Sequence, residues 1–296
     1  MAKVRVVTDS TCDLPDALMR EWDIAMVPLS VNFGNESLRD RIDITHDEFI
    51  RRLTTSKTLP TTSQPPPGLF EEQYLRLADE GIDGILSIHI SEKLSGTASA
   101  ARIAAEAVAD RVRVDVLDSR SLSLGLGFQA LAAARMAREG DDLEAVMAEA
   151  RRVMPNTHII FFADTLEYLQ RGGRIGRAAA IAGSILSLKP LMRVDEGQVV
   201  PHERTRTRSK AIDGVVKFVA DFPQIRHLGA LKTGDADIDT LLDRLAPVFP
   251  REKILVTNCS PVISVHLGPG ALGAIIDTSE GEAINLTTGT GAATPA

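Results

Sequence analysis

Gly84-Ile85-Leu86-Ser87-Ile88-His89-Ile90 runs into Ser91-Glu92-Lys93-Leu94-Ser95-Gly96-Thr97 and then into an alanine-rich stretch ending at Ala109. The first seven residues are short, apolar and rich in isoleucine, which predicts a buried strand. The next seven read as a polar turn, and 97–109 reads as a helix. Val112–Leu117 returns as a strand. The same alternation extends outward in both directions. Val4–Val7 is a strand, Pro15–Glu21 a short helix, and Ile24–Phe33 an extended run. Thr45–Arg52 is a helix, with Thr45 and Glu48 at the spacing of a capping box. Thr58–Gly68 carries four prolines and reads as a loop. Downstream, Leu122–Arg138 is a long small-residue helix packed on both sides, Asp142–Val153 is amphipathic, and His158–Phe162 is a strand. Leu191–Val194 and Gln198–His202 flank Asp195-Glu196-Gly197 as a hairpin. Strands at 227–232 and 254–258 alternate with helices at 209–219 and 237–245, and 271–276 closes the ordered part. This order predicts an α/β protein with parallel or mixed sheets covered by helices.

The chain has 296 residues, 44% apolar and 25% charged, which is long for one compact core. The expectation is two three-layer α/β domains, 1–155 and 156–281, dividing near Pro155. Residues 282–296, rich in Thr, Gly and Ala, are expected to form a flexible tail. Lys and Arg total 33 against 40 Asp and Glu, and the net charge of −7 argues against general nucleic-acid or anionic-membrane binding. One Trp and two Tyr leave little for base stacking. No apolar run reaches the ~18 residues of a membrane span, and Met1–Ser10 reads as a strand and turn rather than a signal peptide. A cytoplasmic protein is expected. Cys12 and Cys259 are read as reduced thiols without a function.

Several motifs fail on context. Gly125-Leu126-Gly127-Phe128-Gln129-Ala130 fits a loose dinucleotide pattern but does not directly follow a strand, so its glycines are assigned to helix packing. The chain has no phosphate-binding P-loop and no Gly-x-Ser-x-Gly elbow. Its six histidines lack metal-ligand spacing, and no metal or cofactor is expected. His89 and His158 are read as core histidines. Three hydroxyl-rich turns remain: Asp9–Asp13, Pro60–Pro65 and Ser91–Thr97. Ligands of open α/β sheets gather beyond the carboxyl ends of strands, and Ser95, Gly96 and Thr97 open a helix whose free N–H groups favour an anion. Capping alone would also explain such turns. Arg171 and Arg174 flank a Gly-Gly turn, and Arg204, Arg206 and Arg208 would share one face of an extended segment. His266 stands beside a glycine-rich turn, where a neutral imidazole can orient an oxyanion.

Val7-Thr8-Asp9-Ser10-Thr11, Pro60-Thr61-Thr62-Ser63-Gln64-Pro65, Leu94-Ser95-Gly96-Thr97, Leu169-Gln170-Arg171-Gly172-Gly173-Arg174-Ile175 and His266-Leu267-Gly268-Pro269-Gly270 together resemble the DegV family. That family includes the fatty-acid-binding subunits of bacterial fatty acid kinase. The resemblance runs from Val4 to about Ile276. It implies a long-chain fatty acid, palmitate- or oleate-like, held between or within two α/β domains. It further implies a separate ATP-dependent kinase subunit that phosphorylates the carboxylate.

A buried carboxylate needs charge-assisted or hydroxyl hydrogen bonds. Thr62, Ser63 and Ser95 can donate them, with Gly96 at the same turn and His266 as a further donor. The aliphatic helices 97–109 and 122–138 suit the tail. Arg174 and Arg206 are assigned to phosphoryl transfer or kinase contact, because arginine's planar fork suits phosphoryl oxygens. No catalytic residue is assigned to the chain itself. Two alternatives stay open: a serine-dependent hydrolase with Ser95 as nucleophile and His266 as base, and a nucleotide-binding sensor.

Overall fold

The computed structural model describes residues 3–56, 58–182 and 189–286. β1 (Val4–Asp9) leads through a single turn at Ser10–Cys12 to α1 (Asp16–Glu21), β2 (Ala25–Val27), β3 (Ser30–Phe33) and β4 (Glu36–Arg39). Next come α2 (His46–Thr55), β5 (Thr61–Ser63), α3 (Pro67–Asp79), β6 (Gly84–His89), α4 (Thr97–Ala107) and β7 (Arg113–Asp118). Two helices, α5 (Leu124–Glu139) and α6 (Leu143–Val153), close the first half. The second half contains β8 (Thr157–Phe162), α7 (Glu167–Arg171), α8 (Ala179–Ala182), β9 (Leu191–Asp195) and β10 (Gln198–Glu203). It ends with α9 (Arg208–Ala220), β11 (His227–Lys232), α10 (Ile238–Leu245), β12 (Leu255–Asn258), α11 (Pro261–Leu267) and β13 (Leu272–Asp277).

The first sheet is parallel, in the order β2-β1-β6-β7, and the second is mixed, in the order β10-β9-β8-β13-β11-β12. Strand alternation sorts their side chains to opposite faces. Ile85 of β6 packs toward α3 and α4, whereas Leu86 and Ile88 face α5 and α6. On β8, Ile160 and Phe162 join the α9–α10 core, while Ile159 and Phe161 face α5. The molecule is thus five layers deep: α3/α4, first sheet, α5/α6, second sheet, α9/α10. Both sheets have helices on each face, and α5 is common to the two. Every residue from Leu124 to Ala134 is buried. A Cβ on Gly125 would lie 2.9 Å from Ile159 of the second sheet, and one on Gly127 only 2.8 Å from the Cys12 carbonyl. These glycines serve close packing.

Local rules hold at many boundaries. Thr45 accepts from the Glu48 N–H at the start of α2, and Asp142 caps α6 in the same way. The β9–β10 turn has φ of +47° at Glu196 and +79° at Gly197, the conformation of a tight hairpin. His89 is fully buried between Asp9 and Ser87, and His158 stacks on Phe222 at 4.6 Å.

Four expectations need correction. Ile24–Phe33 is two strands in different sheets, because Pro28 and Leu29 interrupt the ladder. Thr61–Ser63, read as loop, is β5, which joins β3 and β4 in a small antiparallel sheet; Pro67 opens α3 instead of breaking it. Pro261–Leu267 is a helix that was not anticipated. Residues 282–286, expected in the flexible tail, lie against the fold. Ile284 and Leu286 are buried, and Arg226 donates to the Glu282 carbonyl. Residues 287–296 lie outside the described residues.

Candidate functional site

β5 pairs with β3 so that Thr62 stands opposite Val31 and Ser63 opposite Ser30. This pairing carries the proline-flanked segment to the carboxyl end of the first sheet. There it meets the turn after β6, which holds Leu94 and Ser95, and the helix α11 from the other half, which holds His266. Together they line a cavity of about 300 Å³. Thr62, Ser63, Gln64, Ser95, Arg174 and His266 supply its polar groups. The remaining lining is aliphatic apart from Phe161, and it includes Leu29, Ile90, Leu122 and Ile263.

His266 Nε2 lies 3.0 Å from Thr62 Oγ1, and its Nδ1 is buried without a partner. Burial, and secondarily the Arg174 charge, push the imidazole down to about 4. The ring is therefore neutral at neutral pH. It packs against Gly172, where a Cβ would stand 2.2 Å from Nδ1. Arg174 donates from Nε to the Leu94 carbonyl at 3.0 Å and from Nη1 to the Gly172 carbonyl at 2.7 Å. One side chain thereby ties the turn of the first half to the Gly-Gly turn of the second. A further clasp joins the halves nearby, where Ser91 Oγ donates to the Gly197 carbonyl at 2.7 Å. Ser95 Oγ lies 2.8 Å from Thr97 Oγ1.

The structure therefore brings together Thr62, Ser63, Ser95, Arg174 and His266. Gly96 is adjacent and does not line the cavity. A Cβ there would fall 2.1 Å from Gln64 Oε1, so its small size lets the Gln64 side chain lie against the start of α4. Arg206 is exposed on the segment between β10 and α9 and is not part of the lining. Arg204, Arg206 and Arg208 do not share an extended face. Arg208 opens α9 and donates to the Gly270 carbonyl, while Arg204 and Arg206 are exposed.

The turn Asp9–Asp13 is buried structure and not cavity wall. Asp9 accepts from Thr11, and Asp13 accepts from Ser123 Oγ at 2.6 Å and the Ser260 N–H at 2.9 Å. Burial pushes the Asp13 carboxyl up to about 6 and that of Asp40 up to about 7, the latter helped by the charge of Asp13. The Ser95–His266 nucleophile pair does not form, because the imidazole is engaged with Thr62 and no carboxylate orients Nδ1. Among the described residues, no group of three His, Cys, Asp or Glu side chains could hold a metal ion. Leu29, Leu122, Val199 and Ile263 were missed by sequence reasoning, since each sits in a separate segment and carries no local signal.

An anion-headed ligand with an apolar body matches this arrangement: donors gathered at one place, largely aliphatic walls elsewhere, and no carboxylate among the described lining residues. The sequence profile of the DegV family matches residues 3–279. A DegV domain-containing protein of Streptomyces coelicolor is 38% identical, the match covering 93% of this chain and 98% of that protein. A DegV family protein of Thermus thermophilus, solved as a fatty-acid-binding protein, is 40% identical with a TM-score of 0.85; the match covers 93% of this chain and 99% of that one. A stearic-acid-binding protein of Eubacterium ventriosum is 25% identical with a TM-score of 0.83, covering 94% and 99%.

Proposed function

This chain belongs to the DegV family, and on that premise we propose that it binds a long-chain fatty acid in the cavity between its halves. The carboxylate sits among Thr62, Ser63, Ser95 and Arg174, with His266 fixing the Thr62 hydroxyl. One observation carries the reading: the donors from three distant segments meet in a cavity whose other walls are aliphatic. Burying each methylene contributes ~0.8 kcal/mol, so a sixteen-carbon tail supplies on the order of 10 kcal/mol before costs. The relatives solved with fatty acids support the ligand class.

The chain itself acts as a carrier in the cytoplasm and presents the carboxylate to a separate ATP-dependent kinase subunit. A carboxylate oxygen attacks the γ-phosphorus of ATP, ADP leaves, and an acyl phosphate forms. Arg174, which lines the cavity, is assigned to the charge that develops in this step. Arg206, exposed and outside the cavity, is assigned to docking of the kinase.

Mass spectrometry of an organic extract of the purified protein tests the ligand, with a stoichiometric long-chain fatty acid as the expected result. An extract empty of lipid, from a folded protein that also fails to bind added palmitate and oleate, refutes the reading. Arg206→Ala tests the kinase step: bound fatty acid stays, while acyl phosphate formation with a cognate kinase subunit and ATP falls. Normal phosphorylation of that variant removes Arg206 from the scheme.

A further inference from the structure

A second cavity, of about 490 Å³, shares no lining residue with the first. Trp22, at the end of α1, lines it together with Arg135 and Arg138 from the last turns of α5 and residues 282–285. Trp22 Nε1 and Arg135 Nε are both buried and have no hydrogen-bond partner. Each is an N–H donor and can be satisfied only by an acceptor. Arg138 lies over the Trp22 ring, 5.3 Å from its centroid. The carboxylates of Glu139 and Glu282 also line the cavity, and both residues are exposed.

The buried acids nearby are already engaged. Arg135 reaches Glu149 at 3.5 Å, but Arg152 already holds both oxygens of that carboxylate at 2.7 and 2.8 Å. Arg226 lies 4.0 Å from Asp277, which is also bonded to His227. Arg135, Arg152 and Arg226 thus share two buried acids, Glu149 and Asp277. Arg226 feels this crowding. Burial lowers its pKa, the Asp277 and Glu149 charges oppose this, and the neighbouring Arg135 and Arg152 charges add to it. The helix C-terminus favours cations and accounts for the placing of Arg138. It leaves the two orphan donors unexplained.

We propose that this cavity is an anion site for a phosphoryl group, held by Trp22 Nε1–H, Arg135 Nε–H and the Arg138 guanidinium. Arginine's fork matches phosphoryl oxygens, and an indole N–H is a donor only. The cavity falls within the size range of whole small-molecule sites, so the phosphoryl group belongs to a larger molecule. That molecule is a soluble phosphate ester or the headgroup of a phospholipid.

The chain has a single tryptophan, so its fluorescence reports on this cavity alone. The probes are inorganic phosphate, glycerol 3-phosphate, and phosphatidylcholine vesicles with and without phosphatidylglycerol, each against sodium chloride of equal ionic strength. A saturable change with the soluble phosphates supports a phosphate-ester site. A change with phosphatidylglycerol vesicles alone supports the headgroup. In either case the exposed Arg138→Met is expected to weaken binding by about tenfold or more. Trp22→Phe, followed by calorimetry, keeps the ring, loses the N–H and is expected to weaken it several-fold. Thermal melts check that both variants are folded. The proposal is overturned by no response to any phosphate, by equal response to chloride, or by wild-type affinity in both folded variants.

Discussion

Replacing Gly172 with alanine puts a methyl group where the His266 ring now stands. The backbone would tolerate the change, since φ at Gly172 is −73° and belongs to the end of α7. The obstacle is spatial: the new Cβ would lie 2.2 Å from His266 Nδ1, 2.9 Å from Cε1 and 3.0 Å from the Tyr168 carbonyl. The ring must retreat by roughly 1 Å to restore ordinary contact, which takes Nε2 out of range of Thr62, now 3.0 Å away. Overpacking costs about 1–3 kcal/mol, and the lost hydrogen bond about 1 kcal/mol. A loss of ~2–4 kcal/mol lowers the Tm by roughly 5–10 °C for a chain of this size. Fatty-acid affinity falls about tenfold, because the Thr62 hydroxyl is no longer held in one direction. Gly173 is the control. Its φ is +71° and a Cβ there meets nothing within 4 Å, so Gly173→Ala costs ~1–2 kcal/mol of backbone strain with unchanged affinity. Scanning calorimetry and displacement of a fluorescent fatty acid measure both quantities. Wild-type Tm and affinity in Gly172→Ala, or equal affinity losses in the two variants, would refute the reasoning.

Ser95→Ala and Thr62→Val should each weaken oleate binding by roughly 10- to 100-fold through loss of a charge-assisted bond, with a smaller loss for the exposed Ser63→Ala; displacement titrations rank the three. The raised carboxyl of Asp40, about 7 in the folded chain against an ordinary 3.8, means that the unfolded chain releases this proton first as pH rises. Its contribution to stability is therefore full below about pH 4 and is lost through the window up to about pH 7, by roughly 4 kcal/mol. Urea unfolding of wild type and Asp40→Asn across that window should show a shallower fall in the variant, and identical slopes would contradict the assignment. Cys12 and Cys259 are fully buried, with Cys12 pushed up to about 12. Neither should react with a thiol reagent at pH 8 until the chain unfolds, and a Cys12→Ala/Cys259→Ala variant should retain its lipid.

Much of the fold could be read from local pattern. The strand, turn and helix at 84–107, the capping pairs at Thr45 and Asp142, and the Glu196-Gly197 hairpin follow from periodicity and turn chemistry within a dozen residues. β5 could not be read that way, because three residues between prolines become a strand only by pairing with β3, some thirty positions earlier. The polar residues of the cavity stood out because hydroxyls and glycines cluster in turns, and Thr62, Ser95 and His266 do converge. The apolar wall left no such trace: Leu29 and Ile263 are ordinary aliphatic residues until the two halves close over them. The shared face expected of Arg204, Arg206 and Arg208 shows the opposite error, since spacing in an assumed extended segment said nothing about where α9 would begin.

The burial of α5 on both sides bears on how the chain is made. One flank of this helix rests on β1 and β6, but the other rests on β8 and β13, which lie later in the sequence. While the second half is still being synthesised, that flank has no partner. At ~5–20 residues per second the ribosome needs on the order of 10–30 s to deliver residues 140–277. During that interval the nascent chain exposes an apolar helical face studded with glycine and alanine. Transiently exposed apolar surface of this kind is what makes nascent chains aggregation-prone and gives holdase chaperones something to bind, even though the finished protein buries the helix from Leu124 to Ala134.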